Sequence, residues 1–95
     1  MPDGFIGPVA AGIDQRLRAA LAPDRLEVIN DSARHHGHSG DDGSGESHFT
    51  VRIVSPRFAG MSRLERQRSV NAAVADLLRD RIHALAIEAK APGEA

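Results

Sequence analysis

The 95-residue sequence predicts an α+β fold in the order α–β–β–α–β, with two helices on one face of a three-stranded mixed sheet. Three observations lead to this fold class. Apolar residues recur at helical spacing near the start of the chain and again after residue 62. Two strand-like segments lie between these helices, and a short apolar segment follows the second one. If the last two strands are parallel and share the sheet, the crossover through the second helix is right-handed.

The first helix is predicted to begin at Pro8, with Gly7 as its N-cap, because proline at the first helical position loses no hydrogen bond. Pro23 ends the helix at about Ala22. One face of this helix is apolar and is expected to pack on the sheet; it carries Ala10, Ile13, Leu17, Ala20 and Leu21.

The first two strands are predicted at residues 25–31 and 47–55. In the second, Phe49, Val51 and Ile53 alternate with polar residues, which indicates one buried and one solvated face. We therefore expect an antiparallel hairpin with a long glycine-rich tip.

The second helix is predicted from Ser62 to about Arg81, and "SRLE" at its start is a capping-box pattern. Its apolar stripe consists of Val70, Ala73, Val74, Leu77 and Leu78. Residues 82–90 are predicted to form a third strand, buried on at least part of both faces. The expected organisation is a flexible tail at 1–7, a single domain at 8–91 and a C-terminal tail at 92–95.

The composition excludes several kinds of site. The sequence contains no cysteine, so it forms no disulfide and supplies no thiolate to a metal or iron–sulfur cluster. No apolar run approaches the roughly 20 residues that span a bilayer, and the start resembles no signal peptide, so we expect a cytoplasmic protein without a membrane partner. No nucleophile–base pair or phosphate-binding loop is present, and we expect no enzyme activity.

The histidines are the side chains in this chain that are best suited to bind a metal. His35, His36 and His38 lie in the glycine-rich loop, His48 lies at the start of the second predicted strand and His83 at the start of the third. The loop histidines alone suit zinc or nickel, but a flexible loop lacks the surrounding groups that orient natural ligands. From the residues alone, His83 is also compatible with a partly buried strand-end histidine, and His48 with a hydrogen bond at the strand edge.

Five motifs, taken in order, resemble the BolA family over roughly residues 12–92. They are L-E-V at 26–28 followed by Asp31-Ser32, E-S-H-F at 46–49, F-x-G at 58–60, E-R-x-R at 65–68, and H-A-L at 83–85. The resemblance implies a fold similar to type II KH domains. It also implies a partner, a monothiol glutaredoxin of the Cys-Gly-Phe-Ser type, which together with glutathione shares a [2Fe–2S] cluster with the BolA-like protein.

The resemblance assigns His83 as one cluster ligand and a loop histidine as the other, and a supporting role near the cluster is the less favoured alternative for His48. Counting from Asp31 favours His35, with His38 as the alternative loop ligand and His36 as a third candidate. Because the chain has no thiolate, the remaining ligands must come from another molecule. We expect no cofactor on the isolated chain, and a monomer in the absence of the partner.

Some BolA-like proteins are DNA-binding transcriptional regulators, which is the alternative function. It would use Arg63, Arg66 and Arg68 on the KH-like face, a surface that is equally compatible with a protein partner. The net charge of −1 weighs against DNA as the main ligand, as does a turn that lacks the G-x-x-G clamp. The chain also departs from many family members, with Gln67 in place of a histidine and Asn71 in place of an aromatic residue.

Overall fold

The computed structural model describes residues 7–31 and 47–94. Its elements, in chain order, are α1 (Pro8–Leu21), β1 (Arg25–Asn30), β2 (His48–Val54), α2 (Arg63–Ala73), α3 (Ala75–Asp80) and β3 (Ala84–Lys90). A short 3₁₀ turn at Pro56–Phe58 follows β2. The predicted tail at 1–7, apart from Gly7, and the loop with His35, His36 and His38 lie outside the described residues.

The three strands form one mixed sheet in the order β1-β2-β3. β1 runs antiparallel to β2, with Val28 opposite Val51. β3 runs parallel to β2, with Ile87 opposite Val51. The predicted fold class is confirmed, and the parallel pair brings the first residues of β2 and β3 to the same end of the sheet.

The core lies between the helices and one face of the sheet, as the alternation in β2 predicts. Phe49, Val51 and Ile53 are buried there. The helices contribute most residues of the predicted apolar stripes, among which Ile13, Leu17, Val70 and Val74 are fully buried. Ala20 was wrongly predicted to pack on the sheet: it lies at the exposed edge of the helix, where a small side chain costs little. Within residues 7–31 and 47–94 the core is almost entirely aliphatic, and Phe49 and Phe58, the latter from the 3₁₀ turn, are the two buried aromatic residues. No helix in the described part of the chain is long and apolar enough to cross a membrane.

The second predicted helix is divided in two at Val74, whose backbone angles (φ −113°, ψ 21°) leave the helical region. Val74 stays fully buried, so the apolar stripe runs on through the break. After the break, Asp76 in α3 accepts two hydrogen bonds from Arg16 in α1, at 3.0 and 2.7 Å. The division of the helix therefore coincides with a direct link between α1 and α3.

The third strand is buried on one face only, so the prediction of burial on both faces is wrong. Leu85, Ile87 and Ala89 pack against the core, whereas Ala86 and Glu88 are exposed. The physical reason is that the helices cover one side of the sheet. Alanine is small enough to lie on the solvated side at little cost, so it obscured the alternation in the sequence.

Loss of the capping box is expected to lower the free energy of unfolding. Ser62 Oγ accepts from the Glu65 backbone N–H at 3.1 Å, and Glu65 Oε1 accepts from the Ser62 N–H at 2.7 Å. Ser62→Ala removes one of these partners and should cost about 1 kcal/mol in urea unfolding. Ser69→Ala, inside the same helix, is the matched control and should stay within about 0.5 kcal/mol of wild type. Equal effects of the two changes would contradict a capping role.

Candidate functional site

Two histidines meet at the end of the sheet where β2 and β3 begin. His48 is the first residue of β2, and His83 directly precedes β3. The Ser47 carbonyl oxygen accepts hydrogen bonds from the backbone N–H groups of His83 and Ala84, at 2.8 and 3.3 Å. These bonds tie the start of β3 to the start of β2, so the parallel pairing itself fixes the two histidines side by side.

The two imidazole rings are close but unequally placed. Their centroids lie 6.0 Å apart and their planes are tilted by 43°. His48 is half-buried, and its Nδ1 shares a hydrogen bond with Ser47 Oγ at 2.9 Å, as a strand-edge role predicts. His83 is exposed, and its ring makes no hydrogen bond within residues 7–31 and 47–94. The structure thus leaves the His83 side chain exposed and holds His48 beside it.

The histidine-rich loop leaves the sheet at this same end. Thr50 Oγ1 donates to Asp31 Oδ2 at 2.5 Å, and the Asp31 backbone N–H donates to the His48 carbonyl oxygen at 2.7 Å. These bonds fix the last described residue before the loop next to His48. The assignment of His35 as a ligand, with His38 or His36 as alternatives, lies outside the described residues and stays a prediction.

The described histidines supply two nitrogen donors and no sulfur at this end of the sheet. Among the described residues, no group of three or more His, Cys, Asp or Glu side chains is arranged to hold a metal ion. The described site offers imidazole nitrogen only, and the sequence has no cysteine to add sulfur. The arrangement therefore suits a site that a second, thiol-bearing molecule completes.

The three arginines predicted as a partner or nucleic-acid surface differ in their availability. Arg63 and Arg68 are exposed on α2. Arg66 is engaged within the molecule: Nη1 and Nη2 donate to the Glu94 carboxylate at 2.5 and 2.8 Å, and Nη1 also donates to the Ala89 carbonyl at 3.2 Å. The role of all three stays a prediction, but Arg66 reaches a partner only if Glu94 moves away.

Glu94 lies in a turn, in the segment where the sequence predicts a C-terminal tail. Its backbone N–H donates to the Ala91 carbonyl oxygen at 3.2 Å, and Gly93 has φ of 86°. Pro92 followed by Gly93 is typical of a type II turn, in which the third residue needs positive φ. The proline–glycine pair was therefore the signal that Glu94 folds back toward α2.

The contacts of Glu94 predict an acid-sensitive link. Hydrogen bonds from Arg66 and from the Ala91 N–H lower the pKa of Glu94 from 4.5 to about 2. A carboxylate with a lowered pKa stabilises the fold above its ordinary pKa, and this contribution is lost as pH falls toward the folded-state pKa. We expect Glu94→Gln to lose less of its thermal stability than wild type between pH 4.5 and about 2.

A matched control for this change is Glu27→Gln. The Glu27 carboxylate lies 3.6 Å from Arg52, and both side chains are more than half exposed. Such a pair contributes little to stability. Thermal melts across the acidic range should therefore be the same for Glu27→Gln and wild type. If Glu94→Gln also follows the wild-type profile, the link does not contribute as described.

The sequence of this domain matches one known protein family. Residues 17–94 match the family model described as BolA-like protein. The chain belongs to the BolA family.

Relatives of this BolA-like chain cover almost all of it. It is 48% identical to human BolA-like protein 1 over 91 residues, which is 96% of the chain and 64% of that protein's length. It is 45% identical over 75 residues to a Vibrio cholerae protein named DNA-binding transcriptional regulator BolA, covering 79% of the chain and 67% of the relative. Among solved structures, the BolA domain of SufE1 from Arabidopsis thaliana superposes with a TM-score of 0.85 at 37% identity, covering 96% of the chain and all of that domain.

Three of the BolA-family motifs have defined positions in the fold. E-S-H-F places His48 at the start of β2, and H-A-L places His83 at the start of β3, so two motifs 35 positions apart meet at one end of the BolA-like sheet. F-x-G forms the turn that buries Phe58. The proximity of His48 to His83 agrees with the less favoured of the two predictions for His48, a supporting position near the site, and it follows from the parallel pairing of the two strands.

Proposed function

We propose that this BolA-like chain is an adaptor that binds a monothiol glutaredoxin and contributes imidazole ligands to a [2Fe–2S] cluster held between the two proteins. The adaptor would act in iron–sulfur trafficking or iron regulation. The observation that carries the proposal is the exposed His83 ring at the end of the sheet where the histidine-rich loop departs.

In this proposal His83 is the fixed ligand. Its backbone is held by Ser47, so the imidazole is positioned before the partner arrives. His35 from the loop is the second ligand, with His38 as the alternative. His48 lies beside His83, and its own Nδ1 is engaged with Ser47. Only neutral imidazole coordinates a metal, so acid should weaken the hold of both ligands.

The absence of cysteine supports a shared rather than a private site. A [2Fe–2S] cluster takes four ligands, and imidazole replaces thiolate on one iron in known centres, which raises the reduction potential. Two imidazoles from this chain leave two ligand positions for sulfur. A glutaredoxin cysteine and the thiol of glutathione satisfy that requirement.

Visible circular dichroism tests the proposal. The protein is titrated into a monothiol glutaredoxin that carries its cluster with glutathione. We expect the cluster bands to change until one equivalent has been added, because nitrogen replaces sulfur in the coordination sphere. A spectrum that stays that of the glutaredoxin alone at every ratio would refute the cluster role.

The choice of loop ligand is tested in the same assay with His35→Ala, His36→Ala and His38→Ala. We expect His35→Ala to abolish the change in the cluster bands, whereas the other two variants behave like wild type. Loss of the change with His38→Ala alone would move the assignment to the alternative ligand. The three variants alter the same loop, so each is a control for the other two.

DNA binding is the second candidate, and the name of the Vibrio cholerae relative favours it. The surface that this chain offers is modest, because Arg66 is paired with Glu94 and leaves Arg63 and Arg68 as the exposed cations of the trio. Gel shifts with a short duplex at two salt concentrations test this function. DNA binding predicts a complex without any protein partner that weakens steeply as salt rises.

A further inference from the structure

A groove separates the first turns of α2 from the strand β3. Its volume is about 410 Å³. Met61, Ile87 and Ala89 give it apolar walls, Arg63 and Lys90 flank it, and the Arg66–Glu94 pair lies within it. The groove shares no lining residue with the His48–His83 site, so it is a separate feature of the molecule.

Arg66 is held in a position in which its guanidinium binds one carboxylate. Its Nε donates to the Met61 carbonyl at 3.1 Å and its Nη1 to the Ala89 carbonyl at 3.2 Å, so the guanidinium is fixed between α2 and β3. Its side chain is only 14% exposed. One N–H from each of Nη1 and Nη2 donates to the Glu94 carboxylate, in the two-pronged geometry that arginine offers to a carboxylate.

The Glu94 carboxylate is bound to Arg66 from an exposed turn, so another carboxylate can displace it. The residues of its turn, Pro92 to Glu94, are exposed, and Ala91 is the last buried residue. The Glu94 side chain is itself 41% exposed. Movement of this turn uncovers Arg66 and opens the groove, at the loss of the hydrogen bond from the Ala91 N–H to Glu94 Oε1 at 3.0 Å.

The charges around the groove are complementary to an acidic ligand. Neither Arg63 nor Lys90 has an ion-pair partner among residues 7–31 and 47–94. Glu88, the other acid in the groove wall, is paired with Arg52 on the uncovered face of the sheet. Once Glu94 has moved, three cations face the groove and the remaining acid is partly neutralised.

The strand beside the groove is an edge of the sheet, because β3 has a neighbour only in β2. The Lys90 carbonyl oxygen accepts from the Ser55 N–H, on the β2 side, whereas the Ala89 carbonyl faces Arg66. Since backbone groups alternate along a strand, those of Ile87 share the outward direction of Ala89. An extended chain in the groove would meet backbone partners as well as the three cations.

We propose that this groove binds an extended acidic segment of a partner protein, and that one carboxylate of that segment replaces Glu94 on Arg66. Glu94 then acts as an internal competitor that keeps the site closed. A peptide fits better than a nucleic acid because the group that Arg66 holds is a single carboxylate and because Met61, Ile87 and Ala89 offer apolar surface to side chains between the carboxylates. The proposal does not depend on the cluster function.

Fluorescence anisotropy with a short blocked peptide of alternating valine and glutamate tests the proposal. We expect Glu94→Gln to bind this peptide about tenfold more tightly than wild type, because Glu94 no longer competes with the peptide carboxylate for Arg66. A tenfold ratio corresponds to about 1.4 kcal/mol of binding free energy. The same peptide with glutamine in place of glutamate should not bind. Equal affinity of Glu94→Gln and wild type, or equal binding of the two peptides, would overturn the proposal.

Further variants locate the binding surface. In the Glu94→Gln background, Arg66→Gln should abolish binding, and Arg63→Gln and Lys90→Gln should each weaken it several-fold. These last two changes lie on the groove flanks and keep the test valid if Arg66→Gln does not fold. Arg68→Gln is the matched control on the same helix and should bind like its parent. A loss with Arg68→Gln equal to that with Arg63→Gln would refute the groove as the site.

Two more measurements separate this proposal from the other functions. His83→Ala should bind the peptide like wild type, so failure of the cluster role leaves this result unchanged. A short duplex DNA should not displace the peptide from Glu94→Gln. Displacement by the duplex at the salt concentration of the peptide assay would identify the groove as a phosphate site and overturn the proposal.

Discussion

His83→Ala is expected to abolish the change that this protein causes in the visible circular dichroism of a cluster-loaded glutaredoxin. His83 is exposed, so its replacement should alter the free energy of unfolding by no more than about 0.5 kcal/mol. The loss would therefore reflect a missing ligand rather than a damaged fold. Urea unfolding of the variant alone and the titration with the partner together measure both effects.

His48→Gln is the matched comparison, because His48 lies 6.0 Å from His83 between ring centroids but is held by Ser47. Glutamine retains a hydrogen-bonding side chain at that position. We expect the cluster bands to change at a higher protein concentration than with wild type, but to reach the same final spectrum. If His48→Gln abolishes the change while His83→Ala does not, the roles of the two histidines are reversed.

Phe58→Ala is expected to cause a large loss of stability. Phe58 is fully buried, and the turn around it is fixed by two backbone bonds, from the Phe58 N–H to the Ser55 carbonyl and from the Met61 N–H to the Phe58 carbonyl. The ring fills a core that is otherwise almost entirely aliphatic. Truncation of a buried phenylalanine costs about 3–5 kcal/mol, which is much of the stability of a small domain.

Urea unfolding measures this loss, and Leu64→Ala provides the control. Leu64 is a large apolar residue that is 56% exposed on α2. Its truncation removes little buried surface, so the free energy of unfolding should change by less than about 1 kcal/mol. A Phe58→Ala variant as stable as Leu64→Ala would show that the turn does not anchor the core.

The fold was largely predictable because its elements carry local signals. Pro8, the Ser62 capping box and the alternation around Val51 each act over a few residues, and each predicted element is present. The break at Val74 was not predictable from periodicity, since the apolar stripe continues through it and no glycine or proline marks it. The exposed face of β3 was obscured by alanines, which fit either environment.

The candidate site was predicted less completely, because its parts come together only through tertiary structure. His83 was identified by its motif, but its proximity to His48 depends on the parallel pairing of β2 and β3. The engagement of Arg66 by Glu94 joins residues 28 positions apart through a turn. Charge patterns in the sequence carry no information on such a pairing, so they do not distinguish Arg66 from Arg63 and Arg68.

Pulsed electron paramagnetic resonance tests the cluster role most directly, since it detects whether nitrogen from this chain coordinates the cluster. The protein is labelled with ¹⁵N only in its histidines and bound to an unlabelled, cluster-loaded glutaredoxin, and the cluster is then reduced by one electron. We predict ¹⁵N hyperfine couplings of the size of a directly bound imidazole, and their loss with His83→Ala. A complex that elutes as one species but shows no ¹⁵N coupling to the reduced cluster would contradict the role of this chain as a cluster ligand.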